Sequence, residues 1–207
     1  MEELLQLVIT GLTIGMVYAL IALSFVMVWK SSGVANLALG PIVLFSAWMA
    51  YAMLSPDALD LPAYVGLPLV VILALAMGWV IERIVMRPLI AQPILSLITV
   101  TLGLSFCLEG MAIIIWPKSI ARLPHFLPQE PLSIGTAITS YEKLCTVIVA
   151  LILFVLLSLY FKYNRLGIAM RAAADDQLAV QACGVPVTRI FSRSWMLACV
   201  LAAVAGV

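Results

Sequence analysis

The sequence predicts an all-α fold: a polytopic α-helical membrane bundle with about five complete spans and the start of a sixth. Composition is the first reason, because 65% of the 207 residues are hydrophobic and only 10% are charged. A soluble domain is about 45–50% apolar and about 25% charged. Long apolar runs and basic residues in alternate connections are the second and third reasons. Lipid is therefore expected to be the solvent for most of the surface.

The first apolar run, Leu4–Trp29, is interpreted as a retained first span. A cleavable signal peptide has a basic start and an apolar region of only about 7–15 residues. Here the run is longer, and two acidic residues, Glu2 and Glu3, precede it.

The second segment, Val34–Leu54, is interrupted in its first half by Asn36, Gly40 and Pro41, so its unbroken apolar part is only Ile42–Leu54. Transporters often place substrate sites where a membrane helix is interrupted. A helix that restarts at Pro41 would direct backbone donors and a positive dipole end towards a ligand. The simpler alternative is a short cytoplasmic turn before an ordinary tilted helix.

Three further spans are predicted: Tyr64–Val85, Ile94–Trp116 and Leu144–Phe161. A last apolar run begins near Ser194, and its roughly 14 residues before Val207 are too few to cross a bilayer. We therefore expect one transmembrane domain, residues 1–207, whose last span is incomplete at the C-terminus.

The basic residues predict the orientation of the bundle. Eight of them fall in alternate connections, which we assign to the cytoplasm: Lys30, Arg83, Arg87, Lys162, Arg165, Arg171, Arg189 and Arg193. Only Lys118, Arg122 and Lys143 fall on the other side. The N-terminus and a proline-rich loop, 117–141, are thus expected outside, and the segment 162–193 inside.

The cytoplasmic segment is predicted to be helical from Arg165 to about Ala182. Gly184 suits a left-handed C-terminal cap, and Pro186 follows where a helix cannot continue. Its charged residues would be costly in hydrocarbon, so this helix is expected outside the membrane. It is either a solvated surface helix or an element that docks on a soluble partner.

Glu109 is the acidic residue that lies well inside a predicted span. An intramembrane carboxyl group is a candidate substrate contact or proton relay. The alternative is a carboxyl group that is hydrogen-bonded within the bundle or reaches the outer interface. No second buried ionisable group is expected that could form a relay with Glu109, which argues against a proton-coupled carrier.

Sequence motifs do not predict an enzyme. The four cysteines are far apart and form no C-x-x-C pair, and the single histidine, His125, cannot build a metal site alone. A phosphate-binding loop and a nucleophile elbow are both missing from the sequence. We expect no catalytic residue, no metal and no cofactor in this chain, and no basic run suggests nucleic acid.

Two faces of small residues predict close helix packing in lipid. They are Gly11, Gly15 and Ala19 in the first span, and Ala198, Ala202 and Gly206 in the last apolar run.

Five sequence segments resemble the permease subunits of branched-chain amino-acid ABC importers, especially the LivH type. They are Gly15–Leu23, Asn36–Gly40 (N-x-A-x-G), Glu82–Leu89 (E-R-x-x-x-R-P-L), Thr101–Ser105 and Arg171–Val185 (R-A-x-A-x-D…A…G-[IV]). The segments occur in the family's order, and the resemblance covers nearly the whole chain. Where the family usually has a polar residue before the glycine of the break and often an acid after it, this chain has Leu39 and Pro41.

The resemblance implies a multi-pass protein of the bacterial inner membrane. It would form a path for branched-chain or related amino acids together with a second permease subunit. Separate cytoplasmic ATPase subunits would bind ATP and magnesium, and a periplasmic binding protein would deliver the solute.

Two sets of functional residues are predicted. The substrate path would include Tyr18, Asn36, Gly40, Pro41 and Glu109. The ATPase-coupling set would be Arg171, Ala172, Asp175, Asp176, Ala179 and Gly184. Alternative functions are a related permease for urea or short amides, a secondary carrier that needs no ATPase, and a non-transporting fragment.

Overall fold

A computed structural model describes residues 2–33, 35–89, 92–117, 123, 131–134 and 137–207. Its α-helices are α1 (Glu2–Ser32), α2 (Leu39–Leu54), α3 (Ala63–Val80), α4 (Ile94–Ile115), α5 (Tyr141–Tyr163), α6 (Arg165–Asp175), α7 (Gln177–Ala182) and α8 (Val187–Gly206). After α3 the chain continues through π-helical turns, Ile81–Met86, and a 3₁₀ turn, Arg87–Leu89.

The predicted membrane bundle is confirmed. Within the described ranges, five helices are long and apolar enough to cross a bilayer: Gln6–Ser32, Ala63–Leu89, Leu95–Ile115, Lys143–Tyr163 and Val187–Gly206. Most of the expected outer loop, 117–141, lies outside the described residues, including His125. Its described part forms a hairpin of β1 (Pro131–Ile134) and β2 (Ala137–Ser140), which pair antiparallel.

The prediction for the last apolar run was wrong in its start and its length. Helix α8 begins at Val187 rather than near Ser194, and its 20 residues are enough to cross. Arg189 and Arg193 lie in the first two turns, so hydropathy alone placed the beginning of the helix too late. The helix can begin there because Pro186 precedes it as the N-cap residue.

Helix α8 lies at the centre of the bundle, in contact with α1, α2 and α3. The Ser24 hydroxyl on α1 donates a hydrogen bond to the Ala198 carbonyl at 2.7 Å. Gly78 on α3 lies against the backbone of Trp195, the largest fully buried side chain of the described residues. Small residues thus allow a less hydropathic helix to occupy the most enclosed position.

The two predicted small-residue faces have different outcomes. Ala198 and Ala202 are buried, and Gly206 lies close to the Val43 carbonyl of α2. By contrast, a Cβ atom added at Gly11 or Gly15 would find no other atom within 4 Å. The face of α1 that carries these two glycines is therefore unpacked in the isolated chain.

The predicted cytoplasmic helix is two helices rather than one. Helix α6 ends at Asp175, and Asp176 has extended backbone angles, with φ −151° and ψ 105°. The Asp176 carboxylate accepts a hydrogen bond from the Ala179 N–H at 3.0 Å and so caps the start of α7. Gly184 has the predicted left-handed conformation, with φ +79°.

Candidate functional site: a short helix that begins inside the bundle

The chain reverses direction between α1 and α2. Gly33, with φ +69°, ends α1, and its N–H donates to the Trp29 carbonyl at 2.8 Å. A left-handed residue at this position is a common way for a helix to stop. Farther on, Asn36 is only 3% exposed, and its Oδ1 accepts a hydrogen bond from the Ala38 N–H at 3.0 Å. This local bond fixes the turn that leads into α2.

The turn lies beside the middle of α4, well away from either end of that helix. The Ser105 hydroxyl makes the connection, because it is 3.1 Å from the Leu37 carbonyl and 3.0 Å from the Thr101 carbonyl. Ser105 is near the midpoint of Ile94–Ile115. The 16 residues of α2 span roughly 24 Å, less than a hydrocarbon core of about 30 Å. Helix α2 thus begins inside the bundle.

The predicted restart at Pro41 is two residues late, because α2 begins at Leu39. Proline needs no hydrogen-bond acceptor, so Pro41 is accommodated in the first turn. The helical hydrogen-bond ladder starts with Ile42, whose N–H donates to the Ala38 carbonyl at 2.9 Å. The N–H groups of Leu39 and Gly40 are among those that the ladder of an α-helix leaves without an acceptor.

A side-chain donor lies next to these backbone donors. Asn36 Nδ2 is buried and has no hydrogen-bond partner in the structure. Gly40 is exposed, and an added Cβ would find no atom within 4 Å. The start of α2 therefore combines unused donors, the positive end of a helix dipole and open space. This arrangement can receive an anionic group.

The other two candidate path residues are exposed at the surface of the chain. Tyr18 is 67% exposed on α1. Glu109 is also exposed, on α4, one turn beyond Ser105 and on the same side of the helix. The structure therefore brings together Asn36, Gly40 and Pro41 and leaves Tyr18 and Glu109 at the surface of this chain.

The expectation that no second ionisable group is buried was wrong. Glu82, near the end of the membrane-capable segment Ala63–Leu89, is only 2% exposed. It was missed because the neighbouring Arg83 and Arg87 assigned this part of the sequence to a connection.

Ser105 is a site residue that the sequence interpretation did not select. The signal was present, since Thr101, Ser105 and Glu109 are spaced four apart and form a polar stripe along an apolar helix. Ser105 ties this stripe to the turn through the Leu37 carbonyl.

The candidate coupling residues lie at the end of the bundle where α5 stops. Arg171 and Ala172 are exposed on α6, while their neighbours Met170 and Ala173 are buried against the bundle. Asp176, Ala179 and Gly184 are exposed as well, and the side chain of Asp175 lies outside the described part. The segment is thus packed on the bundle by one side and open on the other.

Lys30, one of the basic residues assigned to the cytoplasm, lies near this same end. The Lys30 ammonium group lies 5.4 Å from the centre of the Phe161 ring, near the end of α5. Helix α6 follows directly, and its Gly167 packs against the Tyr160 backbone. In the described part of the chain, no group of three or more His, Cys, Asp or Glu side chains is placed to hold a metal ion.

The family comparison and the comparison with individual proteins identify the same family. A family model described as the permease component of the branched-chain amino acid transport system matches residues 7–207. The high-affinity branched-chain amino acid transport system permease protein BraD of Pseudomonas aeruginosa is 28% identical over 213 residues, which cover 98% of this chain and 69% of BraD. The corresponding LivH proteins of Salmonella typhimurium and Escherichia coli K12 are each 26% identical, with the same coverage. No solved structure matches the chain significantly.

Proposed function

Because the chain belongs to the permease family of branched-chain amino acid transport systems, we propose that it forms part of an import path for branched-chain or related amino acids. A separate ATPase supplies the energy in this proposal. The path passes the start of α2, and alternating exposure of this point to the two sides of the membrane moves the solute.

The observation that supports this role most strongly is the set of unused donors at a helix start inside the bundle. A free amino acid carries a carboxylate, which accepts hydrogen bonds from backbone N–H groups at a helix N-terminus. The N–H groups of Leu39 and Gly40 and the unpartnered Nδ2 of Asn36 are suited to that group. Interrupted membrane helices bind carboxylates in this way in other transporters.

The surface of α6 and α7 supports the proposed coupling to an ATPase. Buried Met170 and Ala173 attach α6 to the bundle, so a force applied to exposed Arg171 and Ala172 is transmitted to the membrane helices. Direct contacts of α6 with α1 and α5 provide the mechanical link. ATP and magnesium are bound by the partner and not by this chain in the proposal.

The unpacked face of α1 supports a second permease subunit. Gly11, Gly15 and Ala19 are exposed there beside Tyr18. Small residues let another helix approach closely within lipid, so this face suits a subunit contact. Tyr18 then lies at the boundary between two subunits, where a path between them would run. A binding protein on the outer side completes the proposed system.

The proposal is tested by solute uptake in cells that express the complete transport system with variants of this chain. Gly40→Leu fills the open space at the start of α2 and is expected to reduce uptake of leucine, isoleucine or valine strongly. Gly103→Leu is the matched control, because Gly103 is also a helical glycine with no atom within 4 Å of an added Cβ.

Two results would contradict the proposal. One is equal uptake by the Gly40 and Gly103 variants at equal membrane levels. The other is uptake of urea or short amides in preference to amino acids, which would favour the alternative permease function. Uptake that persists without the ATPase would instead favour a secondary carrier.

A further inference from the structure

An open cleft of about 430 Å³ lies between the end of α3 and the start of α8. Its lining includes Trp79, Glu82, Arg83, Arg87, Arg189 and Ser192. It is distinct from the start of α2. The segment Ala63–Leu89 has 27 residues, or roughly 40 Å of helix, so its last turns extend beyond a hydrocarbon core of about 30 Å. We therefore expect the cleft at the level of the lipid head groups, where its three arginines are suited to lie.

Positive charge surrounds the opening of this cleft. Arg83, Arg87 and Arg189 are all exposed at their side chains and can reach a shared ligand. Arg189 lies in the first turn of α8, where the helix dipole adds further positive potential. Guanidinium groups bind phosphate through paired hydrogen bonds, so the opening is suited to a phosphate group.

The inner wall of the cleft carries an acidic group, in contrast to the basic opening. Glu82 is only 2% exposed, and its Oε1 atom is buried without a hydrogen-bond partner. The Ser192 hydroxyl group interacts with the same carboxylate, and Arg87 and Arg83 attract it. Glu82 lies in the π-helical turns Ile81–Met86, a rare geometry that is often found at functional sites. A ligand that fills the cleft should therefore bring a hydrogen-bond donor to Oε1.

Apolar side chains beside the cleft indicate a ligand with hydrocarbon chains. Trp79 lines the cleft and is half exposed, and Val80 and Ile84 next to it in sequence are exposed too. Tryptophan is enriched where membrane proteins meet the head-group layer.

We propose that the cleft binds a phospholipid whose head group carries both a phosphate and a primary ammonium, as phosphatidylethanolamine does. The phosphate lies among Arg83, Arg87 and Arg189, and the ammonium donates a hydrogen bond to Glu82 Oε1. A trimethylammonium group has no N–H to donate, and a purely anionic head group would face the Glu82 carboxylate. The head group therefore holds α3 and α8 together at their cytoplasmic ends.

Native mass spectrometry of the full chain, purified in mild detergent, tests this assignment. The probes are phosphatidylethanolamine, its N-monomethyl form, phosphatidylcholine and phosphatidylglycerol with identical acyl chains. Phosphatidylethanolamine is expected to bind about tenfold more tightly than phosphatidylcholine, as one hydrogen bond to a charged group would give. The monomethyl lipid, which retains N–H donors, should bind nearly as well as phosphatidylethanolamine.

Variants separate the two parts of the head-group site. Glu82→Gln should remove the preference for phosphatidylethanolamine over phosphatidylcholine, and Arg189→Gln should weaken binding of all these phospholipids. Arg193→Gln is the matched control, because Arg193 is one turn further along α8 and does not line the cleft. Should Glu82→Gln fail to fold, the series of methylated lipids with the unchanged chain still decides the question.

Three results would overturn the proposal. Equal binding of phosphatidylethanolamine and phosphatidylcholine would exclude the ammonium contact. Tighter binding of phosphatidylglycerol would indicate a simple anion site. Displacement of every lipid by a purified ATPase partner, without any head-group preference, would assign the cleft to protein docking.

Discussion

Gly78 shows how a single hydrogen atom in place of a side chain allows α3 to meet α8. A Cβ at this position would lie 2.7 Å from the Trp195 carbonyl oxygen and 2.8 Å from the Met196 Cα. Both contacts are with backbone, which cannot move aside as a flexible side chain can. The position therefore requires glycine because of a close approach between two helices.

Gly78→Ala is expected to destabilise the bundle by about 1–3 kcal/mol, the usual cost of overpacking a well-packed core. The measurement is the apparent Tm of the purified chain in detergent. Gly103→Ala is the control, because its added Cβ meets no atom within 4 Å. Equal Tm values for the two variants would show that α3 and α8 are not in close contact at Gly78.

Two asparagines make the same local bond in different surroundings. Asn36 accepts from the Ala38 N–H at 3.0 Å, and Asn164 accepts from the Leu166 N–H at 2.9 Å. Asn36 is buried, whereas Asn164 is exposed at the start of α6. Replacement by alanine removes the same turn-forming bond at both positions, but only Asn36 has a buried Nδ2 without a partner.

Asn36→Ala is expected to lower amino-acid uptake by about tenfold or more, because a hydrogen bond to a charged group contributes about 1.5–3 kcal/mol. Asn164→Ala should leave uptake close to that of the unchanged chain at equal membrane levels. Initial uptake rates over a range of solute concentrations provide the measurement. A similar loss in both variants would assign the effect of Asn36 to the turn and not to a solute contact.

At the scale of elements, the break between α6 and α7 depends on the carboxylate of Asp176. Asp176 both leaves helical geometry and accepts the Ala179 N–H that begins α7. Without this cap, the alanine-rich sequence on both sides favours one continuous helix. The angle between α6 and α7 is therefore controlled locally.

Asp176→Ala is expected to remove about 1 kcal/mol of capping energy and to uncouple ATP hydrolysis from uptake. Asp176→Asn keeps an acceptor at the same place and should retain most of the coupling. The measurement is the ratio of transported solute to hydrolysed ATP in reconstituted vesicles. An unchanged ratio in Asp176→Ala would mean that the separation of α6 from α7 has no role in coupling.

Some helix boundaries could be predicted from the sequence and others could not. The interruption before α2 was predictable because Asn36, Gly40 and Pro41 are poor helix-interior residues in an otherwise apolar segment. The start of α8 was not, since Arg189 and Arg193 lower the local hydropathy although they lie in regular helix. The break at Asp176 was missed because aspartate is common inside surface helices, and its capping bond depends on a backbone angle.

For the whole molecule, orientation in the membrane follows from charge and can be measured with cysteines. Cys183 is exposed next to Gly184, in the segment that the basic residues assign to the cytoplasm. Ala58 is exposed in the connection between α2 and α3, which the same rule assigns to the outside. The two positions should therefore differ in their access to a reagent that cannot cross the membrane.

In a variant with Cys183 as its single cysteine, a membrane-impermeant maleimide is expected to react only after the cells are permeabilised. A variant with Ala58→Cys as its single cysteine should react in intact cells. Gel-shift detection of the labelled protein provides the measurement. Labelling of Cys183 in intact cells would place α6 and α7 outside, where an ATPase could not reach them.

The bundle as a whole was predictable from composition, but the arrangement of its helices was not. Apolar runs identify which segments enter lipid. These segments must be helical, because every backbone polar group in lipid needs an internal hydrogen-bond partner. The apolar runs do not reveal that α8, the least hydropathic of the five long helices, is the most enclosed. That position results from contacts between distant residues, such as Ser24 with the Ala198 carbonyl. The proximity of Asn36 to α4 likewise depends on Ser105, which lies 69 positions further along the chain.

In the proposed import path, the short length of α2 shortens the distance that a solute must travel without water. A charged molecule is least stable at the centre of a hydrocarbon layer and gains stability as it nears either aqueous side. With Ser105 near the centre of the bilayer, as the proposed path requires, the polar start of α2 lies at that least favourable depth. A zwitterion that rests there has two thin dehydrated barriers to cross, one on each side, in place of a single thick one. Closing either barrier in turn then requires movement over only about half of the membrane's thickness.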